Sequence, residues 1–574
     1  MRQQKSGQGD DMSVELALIN PREGGPDKYP PISLLCLAAY ARRSGHSVVI
    51  IDAQAEDLSD DEVAERVMFA QPALCGVTFM TNQVDIVRKL VARLSLLRKQ
   101  GLTVKFVAGG MHVSILPDEA RGLGFDFCVV GEGEETLVQL LCALRTGAST
   151  ESIEGLWGNR FRPRKLVEDL GTLPLPAWDL VPIEKYAVSQ PDLRYTRESG
   201  VCLSISGSRG CLYNCVFCSS HGVYGRTHRE RSPANIVDEM EMLYAKYGVR
   251  KFFMVDESIL GNAERAEAIA EEISKRRLKI QYASPARVSD HGVNLKTLAR
   301  LRESGMLRVD FGVETGAQRI LDDTRKGITI EQIVYAHRLA HEAGMRTTSL
   351  MIVGHLEEAW KDVLDSLALI GNLQTDEVVF GPMTPYPGTE VYSKALKEGW
   401  IRNFDWGMYY ITNSYRVMRN RHFTHQEIYL LSILCTDAAR FMTDWKQREL
   451  RSWYDFYRVL GTGRMRLKAV GRFWLAMYML TRDRAFLREL KLEQIKHTIY
   501  VWAMGVIQNP EDATLLAGVQ KNPLSVLKRP ARKRLLELLV PLVMDRVKES
   551  FTTPLYRVFY AYRLAAYSGS LRKR

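Results

Sequence analysis

Short apolar runs alternate with segments of helical periodicity along the first quarter of the chain. Alternation of a strand with a helix is typical of a parallel, doubly wound sheet that carries helices on both faces. The predicted strands are residues 14–19, 47–51, 74–79, 104–108 and 127–130. The predicted helices are residues 34–43, 61–69, 83–99 and 134–144. We therefore expect an α/β, Rossmann-like domain over residues 12–148, followed by an irregular, proline-containing connector over residues 149–196.

A second alternating segment extends over residues 197–405. Its predicted strands are residues 201–206, 251–255, 279–284, 308–312, 347–353 and 377–382. Its main predicted helices are residues 232–247, 263–275, 294–304 and 330–343. Six βα units are too few to close an eight-stranded barrel, so we expect a partial (β/α)6 barrel whose open side admits the substrate.

The strand pattern stops near Trp406, and residues 406–574 are predicted to form a helical region. The predicted helices there are residues 425–445, 453–460, 473–479, 486–506 and 532–548. Residues 411–574 carry 30 Lys and Arg against 13 Asp and Glu, a net +17, whereas the whole chain carries +11. Basic helices rich in aromatic residues can cap the barrel, contact an anionic membrane surface or bind nucleic acid. We favour the cap, keep peripheral membrane contact as the alternative, and expect no nucleic acid because no such motif is present.

The apolar runs, the first eleven residues and the cysteine spacing together predict a protein of a reducing compartment. No run of about 18 apolar residues is present, and the first eleven residues lack the apolar core of a signal peptide. We therefore expect a cytoplasmic protein, with peripheral contact at the inner membrane surface as an alternative location. The nine cysteines are not spaced as a disulfide framework, and three of them fall within eight residues. Such a cluster in a reducing compartment indicates a metal site.

The metal site would lie in a loop that holds Cys211, Cys215 and Cys218. Thiolates are the usual ligands of iron–sulfur clusters, and three of them can hold three irons of a four-iron cubane. Because no fourth cysteine follows at matching spacing, one iron is left open to bind a substrate or cofactor directly. A zinc site with His221 as fourth ligand is the alternative. Structural zinc sites normally close with four ligands in CxxC-type pairs, so we favour the cluster.

The CxxxCxxC spacing, with an aromatic residue directly before the last cysteine, resembles the radical S-adenosylmethionine (SAM) superfamily. The resemblance covers about residues 201–388. In that superfamily the amino and carboxylate groups of SAM bind the open iron, and one electron cleaves SAM to a 5′-deoxyadenosyl radical. The resemblance implies that the three cysteines hold a 4Fe–4S cluster. It also implies that an external flavodoxin- or ferredoxin-type protein supplies the electron.

Residues at the ends of the following strands match further SAM-binding positions of the superfamily. The implied SAM contacts are Phe217, Asp256, Glu257, Ser284, Arg287, Glu314, Ile352 and Gly354. Asp256 and Glu257 stand where a GGE motif usually binds the SAM amino group, and Glu314 matches a carboxylate that contacts the methionyl and ribose part. Residues 350–357 resemble a GxIxGxxE motif, although Leu350 replaces the first glycine. For each polar residue alone, a helix cap or a surface salt bridge is the alternative.

The N-terminal segment resembles the cobalamin-binding domain that precedes one large class of radical SAM enzymes. The motifs that carry this resemblance are Tyr29-Pro-Pro-Ile-Ser-Leu-Leu, Ala38-Ala-Tyr40, Ile51-Asp52, Gly109-Gly-Met-His112 and Gly131-Glu-Gly-Glu134. The resemblance implies that cobalamin lies beyond the carboxyl ends of the strands, where doubly wound sheets bind ligands. The implied cobalamin contacts are Thr78, Gly109, Gly110, His112, Gly131 and Glu132.

One departure from the family pattern concerns the cobalt ligand. The DxHxxG motif that supplies an axial histidine should follow the first strand, but residues 20–25 contain no histidine. We therefore expect cobalamin to bind without a protein imidazole on cobalt. We expect His112 to be a structural or cofactor-contacting residue rather than a cobalt ligand.

Together, these resemblances predict a cobalamin-dependent radical SAM methyltransferase that acts on an unactivated carbon of a small molecule. The basic, apolar C-terminal region favours a lipid-like or otherwise apolar substrate. An oxidative or ring-forming radical SAM enzyme that transfers no methyl group, like the anaerobic cyclase of magnesium-protoporphyrin monomethyl ester, is the alternative. A non-catalytic sensor of cobalamin or SAM is a third hypothesis, and the intact cysteine triad argues against it.

Overall fold

The computed structural model describes residues 14–23, 28–186 and 201–410, together with most of residues 417–439. Two parallel sheets follow each other along this part of the chain. The predicted helices beyond residue 439 lie outside the described residues, and the predicted helix over residues 425–445 lies inside them only in part. The helical C-terminal region and the domain boundaries therefore stay predictions.

The N-terminal sheet has five parallel strands in the order β2-β1-β3-β4-β5. The strands are β1 (Leu16–Asn20), β2 (Val48–Asp52), β3 (Leu74–Thr78), β4 (Lys105–Gly109) and β5 (Phe127–Cys128). Their side chains are mostly buried on both faces, as parallel strands between two helical layers require. The predicted doubly wound sheet is confirmed.

Seven helices cover the two faces of this sheet among the described residues. They are α1 (Ile32–Arg43), α2 (Ala53–Glu56), α3 (Asp60–Ala70), α4 (Val84–Lys99), α5 (Met111–Ile115), α6 (Pro117–Gly122) and α7 (Glu134–Thr146). Local signals set their ends: Ser59 and Glu62 form a capping box at the start of α3, and Gly147 ends α7 in a left-handed conformation. The short helices α2, α5 and α6 were not predicted, because they lack the length over which helical periodicity becomes visible.

The second sheet has six parallel strands in the order β6-β9-β10-β11-β12-β13. These strands are β6 (Cys202–Ile205), β9 (Lys251–Met254), β10 (Gln281–Ala286), β11 (Met306–Glu314), β12 (Arg346–Val353) and β13 (Glu377–Pro382). A two-stranded antiparallel hairpin, β7 (Ser208–Arg209) and β8 (Arg229–Glu230), follows β6 and was not predicted. The predicted partial (β/α)6 barrel is confirmed.

Eight helices accompany this sheet among the described residues. They are α8 (His221–Tyr224), α9 (Pro233–Tyr247), α10 (Ala263–Lys275), α11 (Leu295–Glu303), α12 (Gln318–Asp323), α13 (Ile330–Glu342), α14 (Trp360–Asn372) and α15 (Glu390–Lys397). In the described part of the chain, no helix combines the length and the apolar character needed to cross a membrane.

The start of the C-terminal region packs on the outer strand of the second sheet. The Phe380 amide of β13 donates to the Thr436 hydroxyl at 3.1 Å. The Asn420 side-chain amide donates to the carbonyl oxygens of His355 and Glu358 at 2.7 and 3.0 Å. The Thr436 contact gives the edge strand a hydrogen-bond partner that an uncovered edge would lack, and the Asn420 contacts tie the same region to the loop after β12.

Candidate functional site

Three half-buried cysteines lie in the loop between the two strands of the β7–β8 hairpin. Cys211 follows Gly210, which has a φ of +86°, and a Cβ atom on this glycine would lie 2.2 Å from the Thr227 carbonyl oxygen. Only glycine fits such a close approach, so the hairpin fixes the start of the loop. Further along, the Cys218 amide donates to the Cys215 carbonyl oxygen at 3.1 Å. The backbone thus holds the three thiols in one short, constrained loop.

The donor set of this loop fits an iron–sulfur cluster better than a single metal ion. Its donors are three thiolates, the usual ligands of iron–sulfur clusters, and no fourth cysteine follows at matching spacing. A zinc ion holds thiolates at about 2.3 Å from one centre, whereas each cysteine of a cubane binds a different iron. Burial raises the pKa of the Cys218 thiol to about 11, so metal binding must displace its proton. Cys211, Cys215 and Cys218 would hold the cluster.

Two charged residues from the ends of neighbouring strands lie against the cysteine loop. Arg287, after β10, places its guanidinium 3.7 Å from the centre of the Tyr213 ring, and its Nη1 lies 3.9 Å from the Cys215 Sγ. Glu257, after β9, accepts a hydrogen bond from the Ser220 hydroxyl at 3.2 Å. A guanidinium and a carboxylate thus both border the loop, and their contacts with SAM stay predictions.

Two other predicted SAM contacts, Asp256 and Ser284, are enclosed by the fold. Asp256 is 2% exposed. Its carboxylate accepts the Gly207 amide at 2.5 Å and lies 3.5 Å from the Arg265 guanidinium. It therefore anchors the start of the hairpin, and its neighbour Glu257 is the carboxylate beside the loop. Ser284 is fully buried, and its hydroxyl donates to the next carbonyl oxygen at 3.1 Å.

The residue at the end of β11, Glu314, combines a strained backbone with a buried carboxylate. Glu314 has a φ of +67°, a conformation that costs a non-glycine residue about 1–3 kcal/mol and that clusters at functional sites. Its Oε1 pairs with the buried Lys326 ammonium at 2.6 Å. The next residue, Gly327, lies so close to Arg287 that a Cβ atom there would be 3.4 Å from Nη2. Lys326 was not predicted from the sequence, where its only local signal is a basic residue before a glycine turn.

The aromatic side of the loop meets the end of β12. Phe217 and Ile352 pack on the same apolar cluster, and the Phe217 ring meets the His355 ring edge-on with centroids 6.4 Å apart. Gly354 has a φ of +92°, and a Cβ atom there would lie 2.6 Å from the Cγ2 atom of Ile428. Gly354 thus contacts the C-terminal region through its Cα side, and its amide donates to the Glu358 carboxylate at 2.5 Å. Its predicted role toward adenine stays a prediction.

Glycines shape the carboxyl edge of the N-terminal sheet in two different ways. A Cβ atom on Gly110 would lie 2.7 Å from the Phe79 carbonyl oxygen and 2.8 Å from the Thr78 hydroxyl. Gly110 therefore serves the packing of the protein itself. A Cβ atom on Gly109 or Gly131 would meet nothing within 4 Å. These two positions leave open space at the edge where cobalamin is predicted to bind, so the residues present fit that cofactor.

His112 lies inside the N-terminal domain. Its ring is fully buried, with Nδ1 3.3 Å from the Thr81 hydroxyl and Nε2 3.7 Å from a Glu119 carboxylate oxygen. The rings of Phe79 and Trp406 lie 5.6 and 5.9 Å away. Burial lowers the pKa of His112 to about 4, so the ring is neutral at physiological pH. Nδ1 thus faces the Thr81 hydroxyl, whereas the buried Nε2 has no hydrogen-bond partner among the described residues.

The fold also engages the side chain of Glu132, another predicted cobalamin contact. Its carboxylate pairs with Arg209 and Arg229, both at 2.9 Å, and accepts the Val167 amide at 2.7 Å. Although burial raises the pKa of Glu132, the hydrogen bonds from the two guanidiniums outweigh it and hold the pKa below its usual value. The carboxylate is thus engaged with the hairpin and the connector rather than with the open edge.

The glycine edge of the first sheet adjoins the cysteine loop of the second. Helix α5 follows Gly110 directly and contacts α8, which begins three residues after Cys218. Ile115 at the end of α5 fits between two glycines, because Cβ atoms on Gly222 and Gly388 would each lie 2.9 Å from its side chain. The two predicted cofactor regions therefore share one boundary.

Comparison with known proteins agrees with this arrangement. The B12 binding domain model matches residues 26–141, and the Radical SAM superfamily model matches residues 205–370. An uncharacterized methyltransferase of Pyrococcus horikoshii is 31% identical over 407 residues, which cover 70% of this chain and 85% of that protein. The anaerobic magnesium-protoporphyrin IX monomethyl ester cyclase of Rubrivivax gelatinosus is 27% identical over 392 residues, which cover 65% of this chain and 68% of that protein.

A solved structure has the same fold. The radical SAM methyltransferase TsrM from Kitasatospora setae superposes with a TM-score of 0.57 at 21% identity, covering 67% of this chain and 78% of TsrM. The two matched family models, the relative from Pyrococcus horikoshii and the paired sheets lead to one conclusion. This chain belongs to the B12-binding radical SAM family and is a cobalamin-dependent enzyme that uses a 4Fe–4S cluster and SAM.

Proposed function

We propose that this enzyme is a methyltransferase that acts on an unactivated carbon of a small, apolar or lipid-like metabolite. The observation that carries the proposal is the shared boundary at Ile115, where the glycine edge of the first sheet adjoins the cysteine loop. Methyl transfer to an inert carbon needs hydrogen abstraction and methyl donation at one substrate atom, and therefore two cofactors in neighbouring sites. The name of the Pyrococcus horikoshii relative, a methyltransferase, supports the same activity.

When bound, the iron–sulfur cluster and one SAM would supply hydrogen abstraction, and cobalamin would carry a methyl group taken from a second SAM. The protein binds, orients and shields them. Arg287 and Glu257 hold opposite charges beside the loop, suited to the two charged ends of the SAM methionyl group. Gly109 and Gly131 let the corrin approach the sheet edge. An external flavodoxin- or ferredoxin-type protein would deliver the electron.

A second candidate function is oxidative cyclisation without methyl transfer. The specific observation in its favour is the similarity to the Rubrivivax gelatinosus cyclase, which covers 65% of this chain. Both activities need the same hydrogen abstraction, so the cysteine loop does not separate them. What separates them is the fate of the SAM methyl group.

Isotope labelling tests the proposal. Enzyme reconstituted with iron, sulfide, cobalamin and reductant is incubated anaerobically with methyl-deuterated SAM and a metabolite extract of the deletion strain. We expect one extract component to gain a deuterated methyl group. A component that instead loses hydrogen and gains no label would favour the cyclase. A Cys215→Ala variant serves as the matched control, because it should form neither product.

The basic C-terminal region supports a proposal about location. Residues 411–574 carry a net +17, and each basic residue near an anionic surface contributes about 1 kcal/mol. We expect the full-length protein to co-sediment with anionic vesicles at low salt and to be released at high salt, because salt screens exposed charges. Reversal of three charges, Arg464, Arg466 and Lys468, should weaken this binding. Equal behaviour with neutral and anionic vesicles would leave the helical cap as the role of the region.

A further inference from the structure

Four charged side chains, two of them buried and two partly buried, join the glycine edge of the first sheet to the hairpin that holds the cysteine loop. We call them the junction cluster: Glu132, Glu134, Arg209 and Arg229. Arg209 pairs with Glu132 at 2.9 Å through Nη1 and with Glu134 at 2.6 Å through Nη2, and Arg229 pairs with Glu132 at 2.9 Å. The carboxylate side chains are 5% exposed and the guanidinium side chains 16% and 10%. The cluster contains two charges of each sign, as buried ionic groups require.

The two sides of the junction cluster are attached directly to the two predicted cofactor regions. Glu132 follows Gly131, the open glycine at the end of β5. Arg209 is separated from Cys211 by Gly210 alone, and Gly210 lies in a left-handed conformation against the Thr227 carbonyl oxygen, where no side chain would fit. A displacement of Arg209 is therefore passed on to the first cysteine of the loop.

Arginine suits this task better than lysine would. The Arg209 guanidinium contacts Glu132 and Glu134 with different nitrogens, so one side chain fixes two carboxylates in a defined geometry. Arg229 adds a hydrogen bond to the Val167 carbonyl oxygen at 2.6 Å, which ties in the connector as well. A single ammonium could not make both contacts of Arg209 with the same geometry.

We propose that the junction cluster sets the position of the cysteine loop relative to the cobalamin-binding edge, and that Glu132 and Arg209 are positioning residues. The proposal rests on the proposed function, because a fixed spacing matters only if the two cofactors act on one substrate atom. A misplacement of about 1 Å between reacting groups can cost about a hundredfold in rate. Loss of the junction cluster should therefore depress methyl transfer far more than it depresses SAM cleavage.

The test measures the spacing of the cofactors without needing the substrate. Full-length holoenzyme carrying the reduced iron–sulfur cluster and cob(II)alamin is compared with the Glu132→Gln and Arg209→Lys variants. The readout is the acceleration of cob(II)alamin spin relaxation by the iron–sulfur cluster, which depends steeply on their separation. We expect both variants to keep iron and cobalamin while the relaxation effect weakens or becomes heterogeneous. Glu135→Gln is the matched control, because Glu135 contacts the Tyr40 hydroxyl at 2.6 Å instead of the hairpin.

A second measurement covers a variant that loses a cofactor. Hydrogen exchange of the cofactor-free protein should rise in Arg209→Lys both in the cysteine loop and in the turn at Gly131, because the junction cluster couples the two. A rise confined to the hairpin would overturn the proposal, as would unchanged spin relaxation in both loaded variants. If the wild-type enzyme transfers no methyl group while the relaxation effect still changes in the variants, the proposed function fails and the positioning role stands.

Discussion

Gly110 is the position where a single methyl group should distinguish a structural glycine from a ligand-facing one. Its φ of 103° and ψ of −174° fall in a region that is essentially restricted to glycine. An alanine there would also place its Cβ 2.7 Å from the Phe79 carbonyl oxygen and 2.8 Å from the Thr78 hydroxyl. Gly110→Ala should therefore destabilise the N-terminal domain.

The size of this effect follows from two costs. The backbone conformation costs about 1–3 kcal/mol for a residue with a side chain. The added methyl group costs about 1–3 kcal/mol more, because the contacting atoms include backbone that cannot move aside easily. Together they predict a loss of about 2–6 kcal/mol in the free energy of unfolding. For a domain of this size, that corresponds to a fall of about 5–20 °C in the melting temperature.

Thermal melting followed by circular dichroism measures this loss, with Gly109→Ala as the matched control. The Gly109 Cβ would meet nothing within 4 Å and its φ is not positive, so the melting temperature should stay close to that of the wild type. The same methyl group would project into the predicted cobalamin region, so cobalamin affinity should fall. Wild-type melting of Gly110→Ala would refute the strain argument. Wild-type cobalamin affinity of Gly109→Ala would refute the predicted contact.

Three further predictions concern the iron–sulfur cluster, a buried carboxylate and the cobalt ligand. Replacing any of the three loop cysteines by alanine should abolish iron binding and 5′-deoxyadenosine release, whereas Cys435→Ala should change neither; normal iron content would exclude the assignment. Burial raises the pKa of Glu358 from 4.5 to about 8. Between these two values the carboxyl group is protonated in the folded state and ionised in the unfolded state, so stability falls as the pH rises from one to the other. Glu358→Gln should remove that decline in melting curves between about pH 5 and pH 9, and Glu357→Gln should not. The cob(II)alamin form should show no nitrogen splitting from a protein imidazole in electron paramagnetic resonance; a splitting that disappears in His112→Ala would show that His112 binds cobalt.

Local patterns made much of the architecture predictable. The predicted strand over residues 377–382 and helix over residues 263–275 match β13 and α10 residue for residue, because periodicities of two and 3.6 are written into short stretches of chain. The cysteine triad was also predictable from a short stretch of chain, because all three ligands lie within one loop and their spacing is visible in the sequence. The short helices α5 and α8 and the β7–β8 hairpin escaped because such short elements are stabilised by tertiary packing rather than by their own sequence.

Side-chain direction was the first thing that only the tertiary structure decided. Asp256 and Glu257 are neighbours at the end of one strand, and their sequence gives no sign of which one faces the cysteine loop. Neighbouring residues of an extended chain point to opposite sides. The packing of Arg265 and Gly207 draws Asp256 inward and leaves Glu257 beside the loop.

The pairing of residues that are distant in the sequence was the second feature that only the tertiary structure decided. Glu132 seemed to belong with the glycines of the cobalamin edge because it adjoins them along the chain, yet its carboxylate pairs with Arg229, 97 residues away. Lys326 went unnoticed for the same reason, since its link to Glu314 exists only where two loops meet. The sequence by itself determined the family, the two sheets and the ligand loop, because these depend on neighbours in the chain. The folded structure decided which charges serve the site and which hold the sheets together, because a buried charge must find its partner in space.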